Sequence, residues 1–138
     1  MEQKSSWGAE MELGVATVDA EHRLQARLLA VLREAVESRR DHAVIEEILR
    51  RVEQTTRAHF LSEELLMRLQ AYDHYGMHVE EHGKLLDQLQ ETRARFEDEP
   101  AHDLLRSIAS IEERLGAHIK GMDRRFTESV PGGNGSPN

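Results

Sequence analysis

The side chains most able to do chemistry in this sequence are two pairs of potential metal ligands, each pair spaced four residues apart. His59 and Glu63 form the first pair, and His78 and His82 form the second. On an α-helix, residues i and i+4 lie one turn apart on the same face, so the two side chains of each pair could bind the same metal ion.

The segment between the pairs predicts a chain reversal. Its Asp73 and Gly76 are turn-forming residues, which favours two antiparallel helices that bring the pairs face to face. If helix continued through this segment up to the reversal, the two pairs would lie at heights that differ by roughly 10 Å along the bundle and would not face each other. We therefore expect the earlier helix to end near Leu69 and not to continue to Tyr75.

Length, charge and composition exclude several classes of protein. A chain of 138 residues without an internal repeat indicates one domain, and its net charge of -8, with Lys and Arg dispersed among acids, argues against nucleic-acid binding. The absence of cysteine removes disulfides, thiolate catalysis and cysteine-based metal sites. No apolar run approaches the ~20 residues that span a bilayer, and no signal peptide is evident, so we expect a cytoplasmic protein without membrane contact.

The apolar periodicity predicts an all-α protein, an up-down-up-down four-helix bundle. We assign residues 1–18 to an N-terminal arm, 19–128 to the bundle and 129–138 to a flexible, disordered C-terminal tail. The apolar stripes of the first two helices include Leu24 and Val44, which we expect to be buried.

Local signals predict where the helices begin and end. Asp19 and Asp41 are candidate N-caps of the first two helices. The third helix should run from about Gly76 to Phe96, and Pro100 suits the first turn of the fourth.

Seven polar side chains fall on or beside the apolar stripes of all four helices. One such histidine is usually a hydrogen-bonded core residue, but seven buried ionisable groups are too costly unless they are paired or bind metal. Five imidazoles and two carboxylates exceed the four ligands of a structural zinc and suit two transition ions, naturally iron, that share carboxylates. The predicted ligands are His22, His59, Glu63, His78, His82, His118 and Asp123.

The spacing of the last two predicted ligands requires an irregular helix. Asp123 follows His118 by five residues, which places it roughly 140° around an ideal α-helix. A local π-type widening would bring the two side chains to the same side.

Together and in order, these residues resemble the bacterial hemerythrins. The resemblance extends from residue 7 to about 126 and implies a non-haem di-iron protein with a four-helix bundle that binds O2 reversibly. The matching motifs are Asp19-x-x-His22, His59-Phe60-x-x-Glu63-Glu64-x-x-Met67, His78-x-x-x-His82 and His118-Ile119-x-x-x-Asp123, preceded by Trp7 and Leu13-Gly14-Val15.

The resemblance also implies a role for each residue. Glu63 and Asp123 would bridge the two irons alongside an oxo or hydroxo group. One iron would have three histidines and the other two, with an open position for O2: His78, His82 and His118 for the first, His22 and His59 for the second. Cofactor-pocket positions are Phe60, Met67, Leu115, Gly116 and Ile119, with core packing as the other interpretation for Phe60 and Met67.

The chain departs from the family pattern near the fourth-helix histidine. Family members usually carry an aromatic residue four positions before it and a bulky aliphatic residue two before it, whereas this chain has Arg114 and Gly116, with Gly121 further along. We therefore expect a more open pocket that admits water, azide or peroxide. Arg114 pointing to solvent is an equal alternative.

Charged and imidazole side chains outside the motifs have simpler interpretations. We expect His42, His74 and His102 to be solvated and unliganded. Surface charge is the expected role of Glu64, Glu80 and Glu81.

Three function classes remain open from the sequence. Reversible O2 binding for storage, delivery or sensing comes first, with azide, nitric oxide or peroxide as further ligands. A di-iron oxidase, peroxidase or nitric oxide-handling protein is the alternative, which an opening at Gly116 would favour. Ferritin-like oxidases are disfavoured, because they need paired Glu-x-x-His motifs and the only one here, Glu99 to His102, is interrupted by Pro100. A signalling module with a separate signalling or oxidase partner is the third, and the lack of an attached output domain argues against it.

Overall fold

A computed structural model describes residues 8–130 of the chain, and every regular element within that range is helical. Trp7 and most of the predicted tail, residues 131–138, lie outside it. The long helices are α1 (Ala16–Glu37), α2 (His42–Leu69), α3 (Tyr75–Arg95) and α4 (Ala101–His118). Shorter elements are two 3-10 turns (Ala9–Met11 and Phe96–Asp98), a π-helical turn (Ile119–Asp123) and α5 (Arg124–Ser129).

The four long helices form the predicted bundle. Each packs against the next along the chain, and α4 closes the bundle against α1. The reversals are short because single residues adopt left-handed backbone conformations, Arg39 at φ 57° after α1 and Ala71 at φ 51° after α2. The all-α, up-down-up-down prediction is therefore confirmed. None of the helices between residues 8 and 130 has both the length and the apolar character that a membrane crossing needs.

The core is built from the inward stripes of all four helices, with Leu32 and Ile108 completely buried. The prediction that Leu24 and Val44 are buried is wrong, since they are 45% and 42% exposed. Leu24 follows buried His22 by two residues, which turns it roughly 200° around the helix and away from the core. Val44 precedes buried Ile45 by one residue and lies at the outer edge of the first turn of α2.

The N-terminal arm is fastened to α1 by Asp19. The helix begins at Ala16, so the prediction that Asp19 is its N-cap is wrong. Asp19 is instead buried, and its two carboxylate oxygens accept the backbone N–H groups of Leu13 and Gly14 at 2.8 and 3.0 Å. Gly14 has φ 89°, a left-handed conformation that favours glycine, and this turn brings both N–H groups onto the carboxylate.

Candidate metal centre

The seven predicted ligands meet in the interior of the bundle, and all of them are buried. They come from α1, α2, α3, α4 and the π-helical turn. They form two overlapping groups, and within each group one candidate ligand atom per residue lies within 4.8 Å of the others. The five-residue group is Glu63, His78, His82, His118 and Asp123, and the four-residue group is His22, His59, Glu63 and Asp123.

The π-helical turn carries Asp123 into the cluster, at the place where the sequence required a widening. Asp123 Oδ1 lies 2.8 Å from Nε2 of His78 and 3.0 Å from Nε2 of His118. Its other oxygen, Oδ2, lies 3.0 Å from His22 Nε2. One carboxylate therefore faces the histidines of both groups with different oxygens.

The end of α2 sets the position of Glu63. As predicted, α2 ends at Leu69, and the reversal that follows leaves Glu63 level with the histidines of α3. Its Oε1 lies 2.9 Å from His82 Nε2 and 3.2 Å from His78 Nε2. The offset of His59 from α3 causes no conflict, because its Nε2 faces His22 Nε2 on α1 at 3.1 Å.

Several atoms of the cluster are oriented as metal donors and not as hydrogen-bond partners. Neither oxygen of Glu63 nor His82 Nε2 makes a properly directed hydrogen bond with any group in residues 8–130. The Nε2 atoms of His78 and His118 face each other at 3.2 Å, where two neutral imidazoles would need one proton between them. A cation accepts all of these lone pairs at once, and imidazole with carboxylate suits transition metals. The residues present fit a pair of metal ions.

Two further carboxylates contact the cluster histidines from outside. Glu64 Oε2 lies 2.8 Å from Nδ1 of His82, and Glu21 contacts Nδ1 of His59. An Nδ1–H group that donates to a carboxylate fixes the ring and leaves Nε2 free for a metal. The prediction that Glu64 is only a surface charge is therefore wrong. Both residues adjoin a predicted ligand in sequence but bond across to the facing helix, which periodicity along one helix does not detect.

Removing the Glu64 carboxylate should weaken metal binding without changing the ligands. In Glu64→Ala the His82 ring loses its acceptor, and we expect the apparent affinity to fall about 10- to 100-fold. Competition with a chromophoric chelator measures this. The control is Glu80→Ala, which removes an exposed glutamate from α3. Equal affinities for the two variants would show that the His82–Glu64 contact does not support the metal.

Four of the predicted pocket residues are buried apolar side chains on the elements that carry the candidate ligands. The Phe60 ring stacks on His82 with centroids 3.8 Å apart and lies 5.9 Å from the His118 ring. Met67 is completely buried one turn beyond Glu63, and Leu115 and Ile119 are buried on the fourth-helix side. These side chains keep bulk water from the cluster.

Gly116 does not open the pocket, contrary to the prediction. It is buried, and a Cβ atom added there would lie 3.1 Å from Met11 Cε, so the arm fills the space that a larger side chain would take. Arg114 does not line the pocket but lies at the surface, where 39% of its side chain is exposed and its Nε donates to Glu81 Oε2 at 3.0 Å. Gly121 is exposed, with no described atom within 4 Å of an added Cβ. The arm of the chain closes this side of the bundle.

Two glycine substitutions test whether Met11 fills that space. Gly83 and Gly116 both lie inside helices, so alanine at either position gains helix propensity of about 1 kcal/mol. At Gly83 no described atom lies within 4 Å of the new methyl group, and Gly83→Ala should realise this gain. Gly116→Ala should gain less, because Met11 must move. Urea denaturation measures both, and equal gains would contradict the packing of Met11.

The metal-free cluster holds charges of both signs. Burial opposes the charged form of His78, but its hydrogen bond with Asp123 and the nearby negative charges of Glu63 and Asp123 outweigh burial and raise its pKa to about 9. Burial likewise opposes the charge of Asp123, yet the surrounding histidines, His118 first, hold the pKa of its carboxyl well below the ordinary 3.8. Histidines outside the cluster, His42, His74 and His102, are exposed as predicted.

Comparison with known proteins gives one family. Residues 13–128 match the family described as hemerythrin HHE cation binding domain, a range that includes all seven predicted ligands. In comparisons with curated proteins and with solved structures, none matched. Since the match covers most of the 138 residues, the chain belongs to the hemerythrin family of HHE cation-binding domains.

Proposed function

We propose that this protein binds two iron ions and uses them to bind O2 reversibly, for storage, delivery or sensing. The observation that carries the proposal is the position of Asp123, whose two oxygens face different histidines of the cluster. Glu63 also belongs to both groups of candidate ligands. Two shared carboxylates are what a pair of neighbouring cations needs to offset their mutual repulsion.

The donor set supports iron and gives each residue a role. Imidazole and carboxylate without thiolate suit a redox-active transition metal, and the number of donors exceeds that of one structural zinc. Glu63 and Asp123, which belong to both groups of candidate ligands, would each be shared by the two ions. The terminal ligands would be His78, His82 and His118 on one ion and His22 and His59 on the other.

The protein environment favours reversible binding. The iron pair, when bound, supplies the electrons that hold O2. Apolar residues would exclude water from it: Phe60 stacks on His82, and Leu115 and Ile119 are buried three residues before and directly after His118. Glu21 and Glu64 hold the Nδ1 atoms of His59 and His82. The alternative of an oxidase or peroxidase depended on an opened pocket at Gly116, and the packing of Met11 there removes its support.

An absorption experiment tests the proposal. Metal analysis of the purified protein should give two iron ions per chain. The protein is then reduced with dithionite under argon, exposed to air and returned to argon. Charge-transfer bands that appear in air and vanish under argon are the expected result. Bands that persist after argon would contradict reversible binding and favour oxidase or peroxidase chemistry, which peroxide turnover would then measure.

A further inference from the structure

Gln25 is a buried amide whose hydrogen bonds are not made within the described chain. Its side chain is 2% exposed, and neither Nε2 nor Oε1 has a hydrogen-bond partner among residues 8–130. Burying an amide without partners costs free energy, and most buried polar groups in proteins are paired. Its partner is therefore expected to come from outside the polypeptide.

The position of Gln25 places it beside the candidate metal centre. It follows His22 by three residues on α1, so the two side chains lie one turn apart on the same face. The 3.1 Å contact between His22 and His59 sets the antiparallel register of α1 and α2. In that register Gln25 lies level with Thr56, which is buried one turn before Phe60.

The fourth helix also has residues at the level of Gln25 and Thr56, which together we call the Gln25 layer. Arg33 of α1 bonds with Glu112 of α4, and His22 lies 3.0 Å from Asp123. Counting equally along both helices between these two contacts places Gln25 level with Lys120, next to buried Ile119. The Gln25 layer thus lies inside the bundle, where the amide of Gln25 is buried.

The two groups of candidate ligands differ in the number of protein donors. One contains five residues, whereas the group with His22 and His59 contains four. An ion with fewer protein ligands is the one that keeps a position for a ligand from solution. That ion lies on the α1 and α2 side of the cluster, the side from which Gln25 projects.

We propose that Gln25 is a ligand-recognition residue whose amide N–H donates a hydrogen bond to a small ligand bound at the His22 and His59 position. The ligand class is a two- or three-atom molecule with a terminal acceptor atom, such as O2 or azide. This inference rests on the proposed function. It adds an amide donor to a pocket whose apolar residues, Phe60, Leu115 and Ile119, cannot donate, and so favours ligands with an acceptor atom.

The test uses azide as the probe on the iron-loaded, oxidised protein. Gln25→Leu keeps a side chain of similar length but removes the amide, and azide affinity, read from the charge-transfer absorption, should fall about tenfold, the effect of one hydrogen bond. Gln25→Glu keeps the shape but replaces the donor with a negative charge, so azide affinity should fall further. The control is Gln54→Leu, which changes a glutamine in the outer groove beside Glu21 and His59.

A second measurement does not depend on bound metal. In the metal-free protein, Gln25→Leu removes a buried amide without partners, so its midpoint of thermal unfolding should rise above that of the wild type. A lower midpoint would mean that the amide already has a partner in the protein, for example a buried water, and would overturn the inference.

The outcomes separate this inference from the proposed function. If wild type and both variants bind two irons per chain and azide equally well, Gln25 does not contact the ligand and the inference is wrong, while the proposed function stands. If the wild type does not take up two metal ions, both fail.

Discussion

Asp123→Asn is expected to lower the metal content from the proposed two ions per chain to one or none. The substitution keeps the shape of the side chain but removes the negative charge that both groups of ligands share. Two neighbouring cations repel each other, and a shared carboxylate offsets that repulsion more than a neutral amide does. Loss of the second ion should therefore precede loss of the first.

The metal content is measured by elemental analysis after loading with excess iron(II) under argon and desalting. Asp87→Asn is the matched control, because it makes the same change at an exposed position on α3 and should retain two ions. Circular dichroism establishes that both variants are helical before loading. Two ions retained in folded Asp123→Asn would show that Asp123 is not a shared ligand.

Stability and metal affinity are expected to respond to pH in opposite directions. In the metal-free protein the pKa of His78 is raised from the ordinary 6.5 to about 9. Its protonated form therefore stabilises the fold fully below pH 6.5, and this contribution is lost as pH rises through 9. The rise in the pKa of His78 from 6.5 to about 9 corresponds to a stabilisation of the folded state by roughly 3 kcal/mol.

Metal binding requires the neutral ring, so a metal must displace the proton from His78. Over the same interval, apparent affinity should rise about tenfold per pH unit for this one proton. Thermal unfolding with and without manganese(II) under argon, between pH 6.5 and 9, measures both trends. His102→Gln, which removes an exposed histidine, should leave them unchanged. Parallel pH trends for the metal-free and metal-loaded protein would contradict a protonated His78.

Most of the bundle could be predicted because its signals are local. Apolar spacing identified four helices, and the turn residues after Leu69 identified the reversal between α2 and α3. The five-residue interval from His118 to Asp123 predicted a π-type turn because no regular α-helix brings both side chains to one side. These inferences needed only the geometry of one helix at a time.

Apart from the exposure of Leu24 and Val44, the errors concern contacts between helices or with the arm. Asp19 has the residue type and position of an N-cap, yet its carboxylate bonds to an arm that doubles back over it. Glu64 was predicted to be a surface charge, but its carboxylate contacts His82 on α3. Gly116 was predicted to leave an opening, but Met11 of the arm occupies that space. Each outcome depends on the register of one element against another, which periodicity does not contain.

The distribution of candidate donors along the chain would give the proposed metal pair a second physical role. The α1–α2 hairpin contributes His22 and His59 to one group of candidate ligands and Glu63 to both groups, while the second half of the chain contributes Asp123 to both. Neither half holds a complete group by itself. In the proposed site, metal loading would therefore hold the two halves together as a covalent cross-link does, and the bundle would separate into its two hairpins only after losing both ions.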